Sequence, residues 1–459
     1  MIRISSNYSV QRYQRDLNAL DYTKTRLMEQ GDGNKLHRPS DDSVGYSRYL
    51  RYNVSEGENN RYQDSVKAGV SWMNSTESSL SAMEDIQKTF KAKTIQAAND
   101  DKDEKGGDWP AIAREMKAGV EQIVSLGNTQ LGDRYIFGGQ ADLKQPFSIS
   151  SPNDPKYRGV AKTLDDRQAN FFNDVSDNDS ADFLHQMLSL DGSDGKTYYM
   201  NTLNGKVYTK DFVQTGYKDL IAKGYKNEAE AVAAGETTSV GTVSGVVPKN
   251  FIKGNFKNTG ELINDPVAAP GKGANWSDNA AVAGVTLKFS TVRQQIVTYS
   301  GDFRYISMVK QNGSTEPTAD TVNKTGADVF GRDLFDDKNS GYADSPSGTA
   351  MLNNMLTVHA KTQACDAHWL SSDGVSLADV ANQVTLQAHT ETGARSRLYT
   401  DMKDVLTNHQ ENITRDITDV SGTDVAELAM KMMQQQTIMS MSLAMGSRIL
   451  PLSLVDYLR

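Results

Sequence analysis

The chain has almost no cysteine and no long apolar run. Cys365 is its single cysteine, and one thiol excludes an internal disulfide framework. No segment approaches the run of about 18 apolar residues that a membrane-spanning helix needs, and Met1 to Val10 lack the apolar core and cleavage site of a secretory signal. We therefore expect no membrane partner, and a chain that either stays in the cytosol or leaves without a cleaved signal peptide.

Clustered positive charge and catalytic motifs are also scarce. The net charge of -9 is spread along the chain, and no basic stripe has interleaved aromatic residues, which argues against nucleic acid as a partner. The 6 histidines form no zinc-binding motif, and the acidic loops near Asn99 and Asp177 lack the glycine and closing glutamate of a calcium loop. No nucleophile, base and orienting group come together. We predict a protein that is not an enzyme and holds no metal or other cofactor.

Apolar residues at helical spacing are instead concentrated at the two ends of the chain. Steps of three and four residues place such side chains on one face of a helix. The predicted assembly residues of the N-terminal helix are Ile4, Val10, Tyr13, Leu17, Leu20 and Leu27. Those of the C-terminal helix are Val425, Leu428, Met432, Met439, Met445 and Ile449, with Gln435, Ser442 and Gly446 filling the same seam. We expect these helices to pair with each other or with other copies of the chain.

The C-terminal stripe lies in a segment that is rich in methionine and poor in charge. Between Met430 and Met445 there are six of the 17 methionines, and Lys431 is the one charged residue. About ten stripe residues contribute roughly 15–30 kcal/mol of gross burial, whereas ordering about sixty residues costs roughly 60–120 kcal/mol of backbone entropy. Because charge is so sparse in this segment, we favour an intersubunit surface over an ordinary helix core. Because the burial is smaller than the cost of ordering the chain, we expect termini that are loose in the monomer and ordered in an assembly.

A turn separates the first helix from the second. Pro39 disfavours helix at the residue before it. Ser40 is the expected N-cap of the next helix, and Asp41 and Asp42 suit the positive end of its dipole. The second helix is expected over 43–98.

The middle of the chain changes period. Between about 140 and 345, glycine and polar residues are frequent and short runs alternate as strands do. Helix is expected again over 348–370 and, after a break at 371–374, over 376–420. The predicted fold class is α+β, a long antiparallel, coiled-coil-like helical rod built from both chain ends with a β-rich inserted domain. The expected divisions are 1–42 and 421–459 as coiled-coil assembly segments, 43–139 and 346–420 as the two halves of the rod, and 140–345 as the insert with one or two subdomains.

Several short motifs resemble those of a known family. The head Met1–Ser5, the turn Arg38–Asp42 and the tail Ser453–Arg459 are similar to the shared termini of the bacterial flagellin family. The octapeptide Gly132–Gly139 and the segment Tyr299–Tyr305 resemble the hook-associated members of that family more than its filament-forming members. The resemblance covers roughly residues 1–147 and 299–459.

The resemblance implies a structural role outside the cell in the bacterial flagellum. The chain would be exported by the flagellar type III apparatus and would self-assemble through its terminal helices into the inner layer of a tube, with the insert facing outward. Its implied partners are other copies of itself, hook-associated protein 1 on the hook side, flagellin on the filament side, and an export chaperone before secretion.

A turn and a collar complete the candidate sites. The collar ties the insert to the rod or contacts the neighbouring subunit, and the sequence leaves both roles open. The residues concerned are Pro39, Ser40, Asp41, Asp42, Asp133, Arg134, Tyr135, Phe137, Gly138, Gly139, Asp302, Phe303 and Arg304.

Two other functions compete with a hook–filament junction. The first is filament flagellin itself. The second is an adhesin in which the helices are a stalk and Trp276 with Tyr198 and Tyr199 supplies aromatic platforms for glycans.

Overall fold

The structure is a computed structural model, and it describes residues 6–99, 108–153, 155–172, 186–201, 204–242, 281–282, 284–307, 321–331 and 348–449. Its α-helices in chain order are α1 (Ser6–Glu29), α2 (Ser43–Asn99), α3 (Trp109–Gly127), α4 (Asp166–Phe171), α5 (Tyr217–Ala222), α6 (Glu228–Ala233), α7 (Gly326–Phe330), α8 (Ala350–Gln363), α9 (Ala367–Trp369), α10 (Val375–Ser421) and α11 (Val425–Ile449). A 3-10 turn, Gln30–Asp32, follows α1. Single π-helical turns occupy Phe212–Gly216 and Leu370–Gly374.

The strands lie between α3 and α7. In chain order they are β1 (Gln130–Leu131), β2 (Arg134–Tyr135), β3 (Phe147–Ile149), β4 (Lys156–Gly159), β5 (Ala161–Thr163), β6 (Gln186–Gly192), β7 (Thr197–Asn201), β8 (Lys206–Thr209), β9 (Gly241–Thr242), β10 (Ala281–Val282), β11 (Val285–Phe289), β12 (Thr291–Gln294) and β13 (Val297–Tyr299). A 7-stranded antiparallel sheet has the order β10-β11-β6-β7-β8-β9, with β5 also paired to β6. The pairs β1–β2, β4–β12 and β3–β13 are separate 2-stranded ladders. The predicted α+β class, with helices from both chain ends and a β-rich middle, is confirmed.

The chain divides into two compact units. The terminal unit consists of the residues up to Ala68 and those from Tyr399 onward. The central unit is Gly69–Leu398. Helices α2 and α10 contribute residues to both units. The β-rich insert belongs entirely to the central unit.

In the terminal unit, the first and last helices pair in antiparallel fashion. Tyr13 in α1 donates a hydrogen bond from Oη to the carbonyl oxygen of Ser442 in α11, at 3.1 Å. Gln435, nearer the start of α11, donates from Nε2 to the carbonyl oxygen of Leu20 in α1, at 2.9 Å. The contacts advance along α1 as they retreat along α11, which is the antiparallel pairing of the two chain ends that the sequence predicts.

Amide side chains hold α2 and α10 together in the same unit. Asn59 donates from Nδ2 to the carbonyl oxygen of Leu406 at 3.0 Å and to Oε1 of Gln410 at 2.8 Å. Gln63 donates to the same carbonyl at 3.1 Å, and Gln410 donates to Oε1 of Glu56 at 2.9 Å. This pair is therefore also antiparallel, and its amide hydrogen bonds contribute to its register.

The central unit has a large apolar core to which α2, α3, α8 and the β3–β13 ladder contribute. Apolar side chains of α2 and α3 at steps of three, four and seven residues are at most 3% exposed: Met73, Leu80, Met83, Phe90, Ile112, Met116, Val120 and Ile123. The ring of Phe147 lies 5.0 Å from those of Tyr299 and Phe330, which joins the ladder to α7. Each fully buried side chain of this size contributes about 1.5–3 kcal/mol.

The insert has a second core of its own, made largely of aromatic rings. Phe172 lies 5.0 Å from Tyr208 and 5.2 Å from Phe171, and Val213 in the first π-helical turn is fully buried beside them. The aromatic residues of this core are packed between the sheet and the helices α4 and α5. The insert therefore does not depend on the core of α2, α3 and α8 for its own packing.

The break before α10 lies earlier than the sequence suggested. Cys365 has a φ of 57°, a left-handed conformation that ends α8. Asp366 then accepts a hydrogen bond from the backbone N–H of Trp369 at 3.1 Å and begins the next helix. The expected break at 371–374 is wrong, because these residues form the second π-helical turn and continue directly into α10.

Candidate assembly interface

One side of α11 faces α1 along a seam whose residues alternate in steps of four and three. This spacing keeps one face of a helix turned towards a partner, as in a coiled coil. The seam residues of α11 are Leu428, Met432, Gln435, Met439, Ser442 and Gly446, all buried or half-buried. On α1, the predicted residues Tyr13, Leu17, Leu20 and Leu27 are half-buried. The structure thus brings these predicted residues of both stripes into one helix pair.

Polar contacts and a close approach define the register of the seam. Gln435 is 8% exposed and makes the hydrogen bond to Leu20 described above. A Cβ atom at Gly446 would lie 2.1 Å from Oη of Tyr13, so no larger residue fits there without movement. Leu428 is the one buried apolar side chain of the described part of α11. Little apolar surface is therefore buried where α1 and α11 meet.

Some predicted stripe residues lie elsewhere. Val425 is 72% exposed and Met445 is 65% exposed, so α1 leaves both side chains largely uncovered. Met445 lies on the side of α11 that turns away from the seam, whereas Val425 lies at the first position of the helix, seven residues before Met432. Their place in an assembly with other copies stays a prediction. Ile4 lies outside the described residues, and so do the side chains of Val10 and Ile449.

A second apolar face of α11 lies opposite the seam. We call it the outer face, and its members, 40–65% exposed, are Met430, Met433, Ile438, Met441 and Met445. Nothing in the described part of the chain buries it. Large apolar surfaces left in water on a folded subunit mark interaction sites.

Charge is nearly absent around the outer face. Lys431 and Glu427 pair with each other at 2.7 Å, four residues apart on an exposed part of α11. On α1, Tyr8, Tyr22 and Met28 add large exposed apolar side chains, each at least 56% exposed. The outer face of α11 can therefore be buried against another helix at little electrostatic cost.

The sequence assigned the methionine-rich segment between Met430 and Met445 to an intersubunit surface, but it did not single out the residues at the core of the outer face. Met433, Ile438 and Met441 were not among the predicted assembly residues, because they do not follow the same stripe as Leu428. The signal that pointed to the segment as a whole is its lack of charge on every side, since an ordinary surface helix has a polar face opposite its apolar one.

The turn before α2 is organised by Asp41. Its Oδ2 accepts hydrogen bonds from the backbone N–H groups of His37 at 3.1 Å and Arg38 at 2.9 Å, and its Oδ1 accepts one from Arg26 of α1 at 2.7 Å. Partial burial acts to raise the pKa of Asp41, but the two backbone amides and the charge of Arg26 outweigh it and hold the pKa below its ordinary value. The turn is thereby tied to α1.

The N-cap of α2 is Asp42 rather than Ser40. Oδ1 of Asp42 accepts a hydrogen bond from the backbone N–H of Val44 at 3.0 Å, and α2 begins at Ser43. Pro39 and Ser40 are exposed. The expectation for Ser40 was wrong because the turn continues two residues further, and the carboxylate at position 42 reaches the free amides first.

The octapeptide forms a hairpin that ends against the segment after β13. β1 and β2 are joined through Gly132, whose φ is 67°. Gly139 has a φ of 68°, and a Cβ atom there would lie 2.0 Å from the carbonyl oxygen of Asp302. The backbone N–H of Asp302 donates to the carbonyl oxygen of Gly138 at 3.0 Å. The two predicted collar segments are therefore in direct backbone contact.

Tyr299 fixes this contact from inside the core. Its Oη lies 2.9 Å from the carbonyl oxygen of Phe137 and 3.1 Å from that of Asp302, positions from which it donates to either. Burial raises the pKa of Tyr299, so the hydroxyl stays a hydrogen-bond donor. Phe137 is fully buried and Phe303 is half-buried beside the same core.

Each charged arginine of the collar pairs with an aspartate that is close to it in the sequence. Arg304 contacts Asp302 at 2.6 Å, and this hydrogen bond holds the pKa of Asp302 below its ordinary value. Arg134 pairs with Asp142 at 3.2 Å, whereas its chain neighbour Asp133 is exposed. The hairpin turn directs the two neighbouring side chains apart, and Tyr135, next along it, is half-buried.

The described residues offer neither a metal-ion cluster nor a helix that could span a membrane. Within them, no group of three or more His, Cys, Asp or Glu side chains is placed to hold a metal ion. Among the described helices, none is long and apolar enough to span a membrane.

Comparison with known proteins identifies the N-terminal region. Residues 4–142 match the model of the bacterial flagellin N-terminal helical region. A comparison with curated proteins finds no match. The family resemblance inferred from the sequence is confirmed over residues 4–142.

Solved structures of flagellar proteins align along most of the chain. Flagellar hook associated protein-3 from Legionella pneumophila shares 12% identity over 81% of this chain and 98% of its own, with a TM-score of 0.34. FlgL from Xanthomonas campestris shares 13% identity over 80% of this chain and 99% of its own, with a TM-score of 0.32. We draw no conclusion from superpositions this loose.

Proposed function

We propose that this chain, whose N-terminal region is that of a bacterial flagellin, is a structural subunit of the bacterial flagellum that joins the hook to the filament and catalyses no reaction. Copies assemble side by side through α1 and α11, and the β-rich insert faces outward. The neighbours are other copies of the chain, hook-associated protein 1 on the hook side and flagellin on the filament side. An export chaperone holds the chain before type III secretion to the cell exterior.

The outer face of α11 is the observation that carries this proposal. Its members are spaced so that they follow one side of the helix, opposite the side that α1 covers. Full burial of one such side chain contributes about 1.5–3 kcal/mol, and repeated copies would bury the same face many times. An enzyme or a glycan-binding stalk has no need of a terminal helix that is apolar on two opposite sides.

Charge placed on the outer face tests the proposal. The double substitution Met433→Glu with Met441→Glu would bury two carboxylates in an assembled layer, which is strongly unfavourable. Gln436→Glu is the matched control, because it adds the same group at an exposed position of α11 outside the outer face. We expect the double variant to fold as a monomer with unchanged circular dichroism and to lose motility when it replaces the natural protein, while Gln436→Glu stays motile. Normal motility of the double variant would contradict the assembly role.

Filament flagellin is the second candidate, because the matched family region is equally compatible with it. The collar segments favour the junction role through their resemblance to hook-associated proteins. Deletion of the gene separates the two. Loss of a junction protein leaves hooks intact while flagellin escapes into the medium, whereas loss of filament flagellin leaves no flagellin to escape.

A further inference from the structure

A buried cluster of charged side chains links the insert to the start of α10. Asp373 lies in the second π-helical turn and is 5% exposed. Its carboxylate is 3.6 Å from Nζ of Lys162 in β5 and 3.5 Å from Nζ of Lys210, just after β8. Tyr199 in β7 donates its hydroxyl to the carboxylate, 2.7 Å from both oxygens. We call these four residues the Asp373 cluster.

Two amines share this one carboxylate, and both are shielded from solvent. The Lys162 side chain is 3% exposed and that of Lys210 is 15% exposed. Burying an ammonium group without its own counter-charge is costly, and the usual outcome is that the group gives up its proton. Burial lowers the pKa of Lys162 against the attraction of Asp373, and the charge of Lys210 lowers it further. Asp165 is the other carboxylate whose charge acts to raise the pKa of Lys162, and its effect is the smallest of these.

Side chains next to the cluster hold both amines beside the carboxyl group. Nζ of Lys162 is held by Oγ of Ser376 at 2.8 Å, which leaves it beside the carboxyl group. Nζ of Lys210 is held by Oγ of Ser372 at 2.6 Å beside the opposite oxygen. Gln214, in the first π-helical turn, directs its Nε2 to the carboxylate at 3.5 Å. Isolated π-helical turns occur often at functional sites, and here both contribute to one cluster.

We propose that Lys162 and Asp373 condense to an amide in the folded protein and so join β5 covalently to the segment before α10. The uncharged Nζ of Lys162 attacks Cγ of Asp373, a C–N bond forms, and one C–O bond of the carboxyl group breaks. The departing oxygen leaves as water, with one proton from the attacking nitrogen and one from the ammonium of Lys210. The product is a neutral amide, and Lys210 regains its proton from solvent.

The roles of the other groups follow from the same geometry. Lys210 is the proton donor, because its ammonium is the second cation at the carboxyl group. The Tyr199 hydroxyl polarises both carboxyl oxygens, and burial together with the charge of Asp373 raises its pKa so that it keeps its proton. Condensation replaces buried charges by an amide whose carbonyl oxygen still accepts from Tyr199. The step needs no oxidant and no additional reactant.

A similar cluster in the same insert provides a matched control. Lys206 pairs with Glu228 at 2.9 Å, and Tyr208 donates to the same carboxylate at 2.9 Å. Thr238 completes the set with a hydrogen bond of 2.7 Å. Only one lysine, Lys206, is described as pairing with the carboxylate of Glu228, and the Lys206 side chain is 29% exposed. Each charge therefore has one counter-charge, and no second ammonium is present among the described partners of Glu228.

Mass spectrometry of the purified full-length protein tests the proposal. The intact, denatured chain is expected to be lighter than its sequence by one water molecule. Digestion is expected to give a branched peptide that contains both Lys162 and Asp373, while Lys206 and Glu228 appear in unbranched peptides. A full sequence mass would overturn the proposal, and so would a water loss confined to one linear peptide.

Two variants test the roles of the lysines separately. Lys162→Arg keeps the charge but provides no amine that can condense, so its mass should equal its sequence mass. Lys210→Met leaves both condensing residues in place and removes the proton donor; we expect at least a tenfold slower gain of the branched peptide after refolding from denaturant. An equally fast reaction in Lys210→Met would overturn the assignment of Lys210.

Discussion

The terminal and central units bury apolar side chains to very different extents. In the described part of the terminal unit, the buried apolar side chains are Leu36, Val66, Tyr399, Ile413 and Leu428. The same unit carries fifteen of the twenty-one large apolar side chains that are exposed in the described residues. The central unit has two cores and few exposed apolar side chains. One unit buries most of its large apolar side chains in its own cores, whereas the other leaves most of its own exposed.

The contrast extends to how the helices are paired. In the central unit, the helices α2, α3 and α8 contribute side chains such as Leu80 and Met351 that are 0% exposed. In the terminal unit, the hydrogen bonds of Gln435, Tyr13 and Asn59 join the α1–α11 and α2–α10 pairs, and few apolar side chains are fully buried. A hydrogen bond contributes about 1 kcal/mol net, so these pairs have a defined register but little stability of their own. This combination suits a subunit that gains order from its neighbours.

Truncation of one large apolar side chain in each unit should give the largest difference in the free energy of unfolding. Leu80→Ala removes a fully buried side chain from the central core and should cost about 2–5 kcal/mol of the free energy of unfolding. Met441→Ala, at a side chain that is 61% exposed, should change the stability of the monomer by less than about 0.5 kcal/mol. Urea unfolding of the monomer measures both. Equal losses for the two variants would mean that the outer face is already buried in the monomer.

The collar should behave as part of the central core. Gly139→Ala places a methyl group 2.0 Å from the Asp302 carbonyl and requires a left-handed backbone, so we expect a loss of about 1–3 kcal/mol. Gly132→Ala has the same backbone strain at φ 67° but open space around it, and should cost about 1 kcal/mol. Thermal unfolding of the two variants isolates the effect of the close contact. If Gly132→Ala is the worse variant, the collar does not depend on that contact.

A substitution in the seam of the terminal unit should have a smaller effect on stability than a substitution in the collar. Gln435→Ala removes the hydrogen bond to Leu20 and should weaken the α1–α11 pair by about 1 kcal/mol. Gln436→Ala is the control, because its side chain is exposed on the same helix. Limited proteolysis of α1 reports the difference, with faster cleavage expected in Gln435→Ala alone. Cleavage at the same rate in both variants would show that Gln435 does not hold the pair.

Low pH should destabilise the terminal unit, and this is the smallest of the expected effects. The pKa of Asp41 is lower in the folded chain than in the unfolded chain, so its contribution is present above the unfolded value of about 3.9 and is lost as pH falls through the folded value. Arg26 is 38% exposed, so we expect the pair to contribute less than about 1 kcal/mol. Proteolysis of the turn at pH 7 and pH 3 should differ less in Asp41→Asn than in the unmodified chain. If Asp41→Asn and the unmodified chain responded identically to pH, Asp41 would not stabilise the turn.

The sequence predicted the helix pairs better than it predicted the contacts between side chains. Spacing alone identified the seam, since Leu428, Met432 and Met439 follow the helical period whatever they touch. The partner of Arg134 could not be found in this way, because the hairpin turn decides that Asp142 and not Asp133 is near. The Asp373 cluster was also out of reach. Its members come from β5, β7, the end of β8 and the second π-helical turn, and only the sheet order brings them together.

Hydrogen exchange of the dilute monomer, compared with the protein assembled in isolated flagella, tests the central claim most directly. In the monomer we expect α1 and α11 to exchange at least a hundredfold faster than α3 and α8, and in the assembly we expect all four helices to be protected. Slow exchange of α1 and α11 in the monomer, equal to that of α3 and α8, would contradict the account, because the terminal unit would then be complete without neighbours.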